Sequence, residues 1–218
     1  MRYQGQSGAL GPRNRNSLVT EEDIVAKKNK KAVETSGLIK LDIACGQNKQ
    51  AGYIGIDLSG NADITHDLFS YPWPIEDNSV SEAFISHFVE HIPHYRPEWP
   101  KDGWWMFWDE VYRIMAPGGL VAVVHPYVKT DRAFWDPTHV RFIHEMTWYY
   151  LDQEWLKVQG LDHYDSKANF EVGLISSSGI SDTIANRSDE VQQFARNHYW
   201  NAVSDLQVML KCKKEEPK

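Results

Sequence analysis

Five short apolar runs between Leu38 and Tyr127 constrain this chain most: LIKLDIA, YIGID, ADITHDL, SEAFISHF and GLVAVVHPY. Each is short and rich in branched or aromatic residues, the pattern of a buried strand. Between the fourth and fifth lies GWWMFWDEVYRIM. Its Trp104, Phe107, Trp108, Val111, Tyr112 and Met115 recur at helical spacing, and APGG then stops the helix. Strands alternating with helices predict an α/β fold with a Rossmann-like, doubly wound, mostly parallel sheet. Two later runs, NFEVGLI and SDLQVMLKCKK, predict an antiparallel C-terminal edge. Residues 1–20 read as a loose arm, 21–213 as a single domain and 214–218 as a tail. Thr20 is a candidate helix cap, with Glu21 and Glu22 in the first turn of EEDIVAKKNKKAVE.

Composition narrows the function. A length of 218 residues supports one domain with a sizeable core. The net charge of −7 argues against tight sequence-blind binding to nucleic acid, which needs a basic surface. The basic runs Lys27 to Lys31 and Lys211 to Lys214 read as solvated faces or tails. Two cysteines, Cys45 and Cys212, give neither a disulfide framework nor a zinc pattern. No apolar run has bilayer length, and MRYQGQSGALGPRNRN lacks the shape of a signal peptide. A cytoplasmic location and no membrane partner are therefore expected.

The stretch LDIACGQNKQAGYIGIDL joins the first two strands. In an open α/β sheet ligands sit beyond the C-terminal strand ends, so the turn after Ala44 is well placed. Ala44 and Gly46 allow close approach of the backbone, and Asp57 ends the next strand, where a carboxylate can accept both hydroxyls of a ribose. A dinucleotide site needs G-x-G-x-x-G, a helix whose N-terminus meets the pyrophosphate, and an acid about 20 residues on. This chain has A-x-G-x-N, and its Asp57 comes too soon for a full crossover helix. That disfavours an NAD-dependent oxidoreductase. A nucleoside without phosphates needs only close backbone and a ribose acceptor.

From Leu38 to about Tyr150 the chain resembles class I S-adenosylmethionine-dependent methyltransferases, in particular a branch whose first motif reads LD-x-G-C-G-x-N-K followed by G-x-D. Asp42, Cys45, Gly46, Asn48, Lys49, Gly55 and Asp57 carry the match, with Ala44 where glycine is usual. HDLFSYPWPIEDNSVSEAFISHFVEHI and EVYRIMAPGGLVAVVHPY resemble the later blocks. The resemblance implies a methyltransferase with S-adenosyl-L-methionine as cofactor. It implies contacts from Asp42, Ala44, Gly46, Asn48, Lys49, Asp57, Leu58, Asp67, Leu68 and His87. Asp67 would meet the adenine amino group, Leu68 would border the ring, and the His87 backbone would face the methionine end. The methionine carboxylate falls to Lys49 or the backbone from Gly46 to Lys49; alternatively Lys49 points to water.

Methyl transfer needs position more than acid–base chemistry, because the sulfonium already activates the carbon. The candidate catalytic residues are His87, Asp136 and His139, with Glu90, His91, His94, His125 and Asp131 nearby in sequence. DPTH reads equally as a turn. No metal is expected: His87, His91 and His94 have spacings that a helix could align, but satisfied or solvent-facing histidines are the commoner case. Trp104 and Trp108 belong to helix packing, whereas Trp99 and Trp105 are freer to border an acceptor pocket. Trp73 in YPWP reads either as a cover over adenine or as part of a packed loop. The acceptor is a small molecule, a sugar or a protein rather than bulk nucleic acid. The rival reading is a non-catalytic nucleoside-binding or interaction module with the same fold.

Overall fold

A computed structural model describes residues 37–215. The expected arm over 1–20, the Thr20-capped helix and the last three residues of the expected tail lie outside the described residues. Strands β1 (Ile39–Ile43), β2 (Ile54–Asp57), β3 (Ile64–Thr65), β4 (Val80–Ser86), β5 (Met115–Pro126), β6 (Phe170–Ser178) and β7 (Asp205–Cys212) form one sheet in the order β3-β2-β1-β4-β5-β7-β6. The first five are mutually parallel, and β7 runs antiparallel to both β5 and β6. This is the mixed α/β sheet that the apolar runs predict, with its antiparallel edge at the C-terminal end of the chain.

Details depart from the sequence pattern for local reasons. The third strand is only two residues long. Asp67 accepts the backbone N–H of Phe69 at 2.9 Å, and the Ser70 N–H donates to the Asp67 carbonyl at 2.8 Å, so the chain turns away from the sheet there. Helix α1 (Gly103–Ile114) gives way directly to β5, so APGG lies within the strand. It is accommodated by a register shift, Val80 pairing Met115 and Glu82 pairing Leu120. The links β1–β2, β2–β3 and β3–β4 contain no helix.

Helix α1 begins where Asp102 Oδ1 accepts the Trp104 N–H at 2.7 Å, a conventional N-cap. Its buried face carries Trp104, Phe107, Trp108 and Val111, as the helical spacing predicts, together with Ile114; Tyr112 is only half-buried and Met115 opens β5. These meet Leu41, Ile43, Ile85 and Val121 of the sheet in one core cluster. Trp108 stands edge-on to Trp148 and Phe170, with ring centroids 5.5 and 5.9 Å apart. Rings of this kind bury ~150–250 Å² each, or ~4–6 kcal/mol of gross transfer energy at ~25 cal/mol per Å². The aromatic rings of α1 are therefore largely core, whereas Trp135 and Trp200 are exposed.

The remaining helices, α2 (Gln153–Val158), α3 (Asp182–Ala185) and α4 (Asp189–His198), follow β5 in the chain, and α3 and α4 lie in the connection from β6 to β7. Among the described residues no helix is long and apolar enough to cross a membrane. Cys45 and Cys212 are free, buried thiols.

Candidate functional site

The strand order reverses between β1 and β4, so the crevice beyond their C-terminal ends is where an open α/β sheet takes a ligand. Both strands end in strained backbone there. Ala44 has φ +60° and His87 φ +51°, left-handed values unusual for residues with a side chain.

The turn after β1 is cross-braced to the segment after β2. The Gly46 N–H donates to Asp57 Oδ2 at 3.0 Å, and the Ser59 N–H to Asp57 Oδ1 at 2.7 Å. Ser59 Oγ returns a bond to the Gly46 carbonyl at 3.2 Å, and Asn61 bonds Gln47. Each Asp57 oxygen accepts a single N–H and keeps acceptor capacity. A Cβ built on Gly46, at φ +52°, would meet nothing within 4 Å, so the space over the turn is open. Beneath it, buried Asp42 accepts the Gln50 N–H at 2.6 Å, and burial raises its pKa. Gly55 is packed so closely that a Cβ would lie 2.6 Å from Cys45 Sγ.

The other expected contacts are distributed unevenly. Lys49 Nζ pairs with Asp63 Oδ2 at 2.6 Å, and Asp63 also takes the Gly55 N–H at 2.7 Å. The Lys49 ammonium is thus neutralised by a neighbour and does not point unpaired to water. Those two bonds, the Lys49 bond first, hold the Asp63 carboxyl below its usual range. Asn48 and Leu58 are exposed on the rim. Asp67 is held by the Phe69 N–H and by Arg96 at 3.1 Å, which outweigh burial and lower its pKa. The Arg96 guanidinium lies over the rings of Phe69 and Trp99. Leu68 is only 4% exposed and its side chain lies in the core. Trp73 is 2% exposed and packs on Phe107, so YPWP is a packed loop rather than an open lid.

A second group gathers beyond β4 and β5. His87 is half-buried, with Nδ1 3.5 Å from Glu90 Oε1 and Nε2 4.0 Å from Asp205 Oδ1. His139 lies with its side chain buried, Nδ1 3.1 Å from the Ala133 carbonyl and Nε2 3.9 Å from Glu90 Oε1. Asp136 accepts both the backbone N–H and the hydroxyl of Thr138, at 2.8 and 2.7 Å, and these bonds lower its pKa. DPTH is therefore a turn, and the same turn delivers His139 to Glu90. His94 leaves this group: it bonds Asp102 at 3.1 Å and the Val140 carbonyl at 3.1 Å. The alignment of His87, His91 and His94 that a helix could produce does not form, because the helical turn Val89–His91 is a single 3-10 turn. His125 is fully buried in β5, where burial depresses its pKa to about 4. Asp131 is engaged by Asn201 and Trp200.

At His94 lies a groove of about 710 Å³, lined in part by Trp105, Arg141, Phe142, Tyr150 and Tyr164. Trp105 borders it as the spacing allows, whereas Trp99 is buried against Phe69. Arg96, Asp63 and Asp205 meet Asp67, Lys49 and His87 from 14 to 118 residues away and carry no local sequence signal.

No protein-family model matches the chain, and no curated protein matches it. Solved structures with similar folds include an S-adenosylmethionine-dependent methyltransferase from Archaeoglobus fulgidus, 18% identical over 88% of this chain and 94% of that one, with a TM-score of 0.48. A second, from Methanosarcina mazei, is 14% identical over 83% and 95%, at 0.48. The cyclase SpnF is 15% identical over 88% and 80%, at 0.44. The fold assignment rests on the strand order and register, not on these distant likenesses.

Proposed function

We propose that this chain is an S-adenosylmethionine-dependent methyltransferase acting on a small molecule, a sugar or a protein. One observation carries the reading: the turn after β1 is left-handed at Ala44 and Gly46, is bonded to Asp57 at the end of β2, and leads into no helix. A pyrophosphate would want the N-terminus of a helix at that place. A nucleoside wants close backbone and a carboxylate with acceptor capacity, and both are present. The open space over Gly46 fits a bound group.

When bound, S-adenosylmethionine supplies an electrophilic methyl carbon. The protein's own part is binding and orientation. Asp57 accepts the ribose hydroxyls. Ala44 to Gly46 let the backbone approach. Asp67, held by Arg96, presents its remaining acceptor capacity to the base edge, while Leu68 contributes only backbone. With Lys49 neutralised by Asp63, the N–H groups of Gln47 and Lys49 are the stronger donors for a carboxylate, those of Gly46 and Asn48 being taken by Asp57 and the Cys45 carbonyl. Of His87, Asp136 and His139, His87 is the candidate to take the acceptor's proton: it is half-exposed at the end of β4, whereas the other two are committed to the turn. The aromatic groove at His94 and Trp105 suits an acceptor with a flat or apolar part.

The test is calorimetric titration of the protein with S-adenosylmethionine, S-adenosylhomocysteine and NAD, repeated on Asp57→Ala. Saturable binding of the first two, weakened at least tenfold in the variant, supports the reading. Binding of NAD alone, or of none by folded protein, rejects it. Binding without turnover across an acceptor screen would favour the non-catalytic module.

A further inference from the structure

We propose that Glu90, His91 and His139 form a binding site for one divalent transition-metal ion. One ligand atom from each lies within 4.8 Å of the others. Glu90 carries the argument. It is 2% exposed, and neither of its carboxylate oxygens has a hydrogen-bond partner. Removing a carboxylate from water without a partner is expensive, so a buried, unbonded pair of oxygens calls for a cation. The nearest nitrogens, His87 Nδ1 at 3.5 Å and His139 Nε2 at 3.9 Å, stand too far off for good hydrogen bonds.

The hydrogen bonds of the two histidines leave each a free lone pair. His139 Nδ1 lies 3.1 Å from the Ala133 carbonyl, which requires a proton on that nitrogen and leaves a lone pair on Nε2, the atom facing Glu90. Thr138 gives its hydroxyl proton to Asp136. Its oxygen, 3.0 Å from His91 Nδ1, therefore accepts from that nitrogen, and the lone pair of His91 falls on Nε2 as well. A carbonyl or hydroxyl behind each imidazole is the usual support of a metal-bound histidine.

The backbone holds the three together without an ion. The N–H groups of Val140 and Arg141 both donate to the Glu90 carbonyl, at 2.9 and 3.1 Å. Arg141 Nε and one terminal nitrogen bind the carbonyls of Ile92 and Pro93 at 2.7 and 2.9 Å. The segment carrying His139 is thus clamped onto the turn carrying Glu90 and His91, so the ligands are preorganised. Two imidazoles and one carboxylate select a zinc-, iron-, cobalt- or manganese-type ion over calcium or magnesium. Three protein ligands leave further positions open to water or an oxygen ligand. None of the three ligands belongs to the nucleoside-binding set, although His87, 3.5 Å from Glu90 Oε1, borders the site.

The test uses tag-free, chelator-stripped protein titrated with Co²⁺, followed by visible absorption, and with Zn²⁺ by calorimetry. One ion per chain is expected, with affinity weakened by about 100-fold or more in Glu90→Gln and in His139→Ala, and unchanged in the exposed His163→Ala. Glu90→Gln is nearly isosteric; circular dichroism establishes its folding. Saturating Zn²⁺ should raise the melting midpoint of the wild type and not that of Glu90→Gln. Absence of saturable Co²⁺ binding by the folded wild type, or its persistence in both variants, overturns the proposal. Because nucleoside binding is titrated separately, either reading can fail alone.

Discussion

The Gly46 N–H donates to Asp57 Oδ2 at 3.0 Å, so the turn after β1 and the end of β2 act as one unit. Asp57 is therefore both a brace and a candidate ligand, and the two roles can be separated. Asp57→Asn keeps a carbonyl oxygen for the Gly46 N–H but loses the charge and half the acceptor capacity. With the Ser59 N–H then facing an amide NH2, it should fold with a modestly lowered melting midpoint yet bind S-adenosylmethionine about 10-fold or more weakly, since a charge-assisted bond contributes ~1.5–3 kcal/mol. Asp57→Ala should lose both binding and some stability. If Asn binds as tightly as Asp, the carboxylate is only a brace.

Gly55 tests how tightly the floor of that turn is packed. A Cβ there would lie 2.6 Å from Cys45 Sγ and 2.8 Å from Lys49 Cδ. Gly55→Ala should destabilise by ~1–3 kcal/mol, lowering Tm by several degrees. The double change Gly55→Ala with Cys45→Ala removes the sulfur and should recover part of that loss. A wild-type Tm for the single variant would mean that the floor is looser than its contacts indicate.

Glu110 anchors the loop that follows Asp67. It is buried, accepts the Trp73 N–H, and pairs with Arg113 at 2.6 Å, while Arg113 also bonds the carbonyls of Ile75 and Trp73. Glu110→Ala leaves a half-buried guanidinium and a buried N–H without that partner, an arrangement that costs ~3–5 kcal/mol. Denaturant unfolding should show this as a lower midpoint at unchanged slope. A loss under about 1 kcal/mol would indicate that Asp77, at the other side of Arg113, carries the pair instead.

Much of this was legible because it is local. Apolar runs of four to eight residues mark strands whichever partners they find, and the spacing from Trp104 to Val111 marks one helix face. Asp57 stood out because it lies at a strand end eleven residues after Gly46. What could not be read was which side chains satisfy one another across the sheet. Nothing near Lys49 announces that Asp63 takes its charge, nor near Asp67 that Arg96 does. DPTH has the composition of a turn and is one; only the clamp of Val140 and Arg141 on the Glu90 carbonyl makes the same turn deliver a buried imidazole. Trp73 allowed two readings because a ring between prolines packs or covers equally well, and burial alone decides between them.

His125 gives the protein a defined acid sensitivity. Its side chain is fully buried in β5, Nδ1 lies 2.9 Å from the Pro126 carbonyl, and Nε2 has no partner. Burial outweighs the attraction of Glu90 and Asp205 and lowers its pKa from 6.5 to about 4. A base with a depressed folded-state pKa takes up its proton more readily when unfolded. Its neutral form therefore supports the fold fully above pH 6.5, and that contribution is lost as pH falls from about 6.5 to about 4. The span corresponds to ~3 kcal/mol at ~1.4 kcal/mol per pH unit. His125→Phe keeps an aromatic ring against Trp148, 5.4 Å away, and cannot titrate. Unfolding free energies between pH 4 and 7 should fall more steeply for the wild type than for this variant. Parallel curves would mean that other groups set the acid limit and that His125 is accommodated in its charged form.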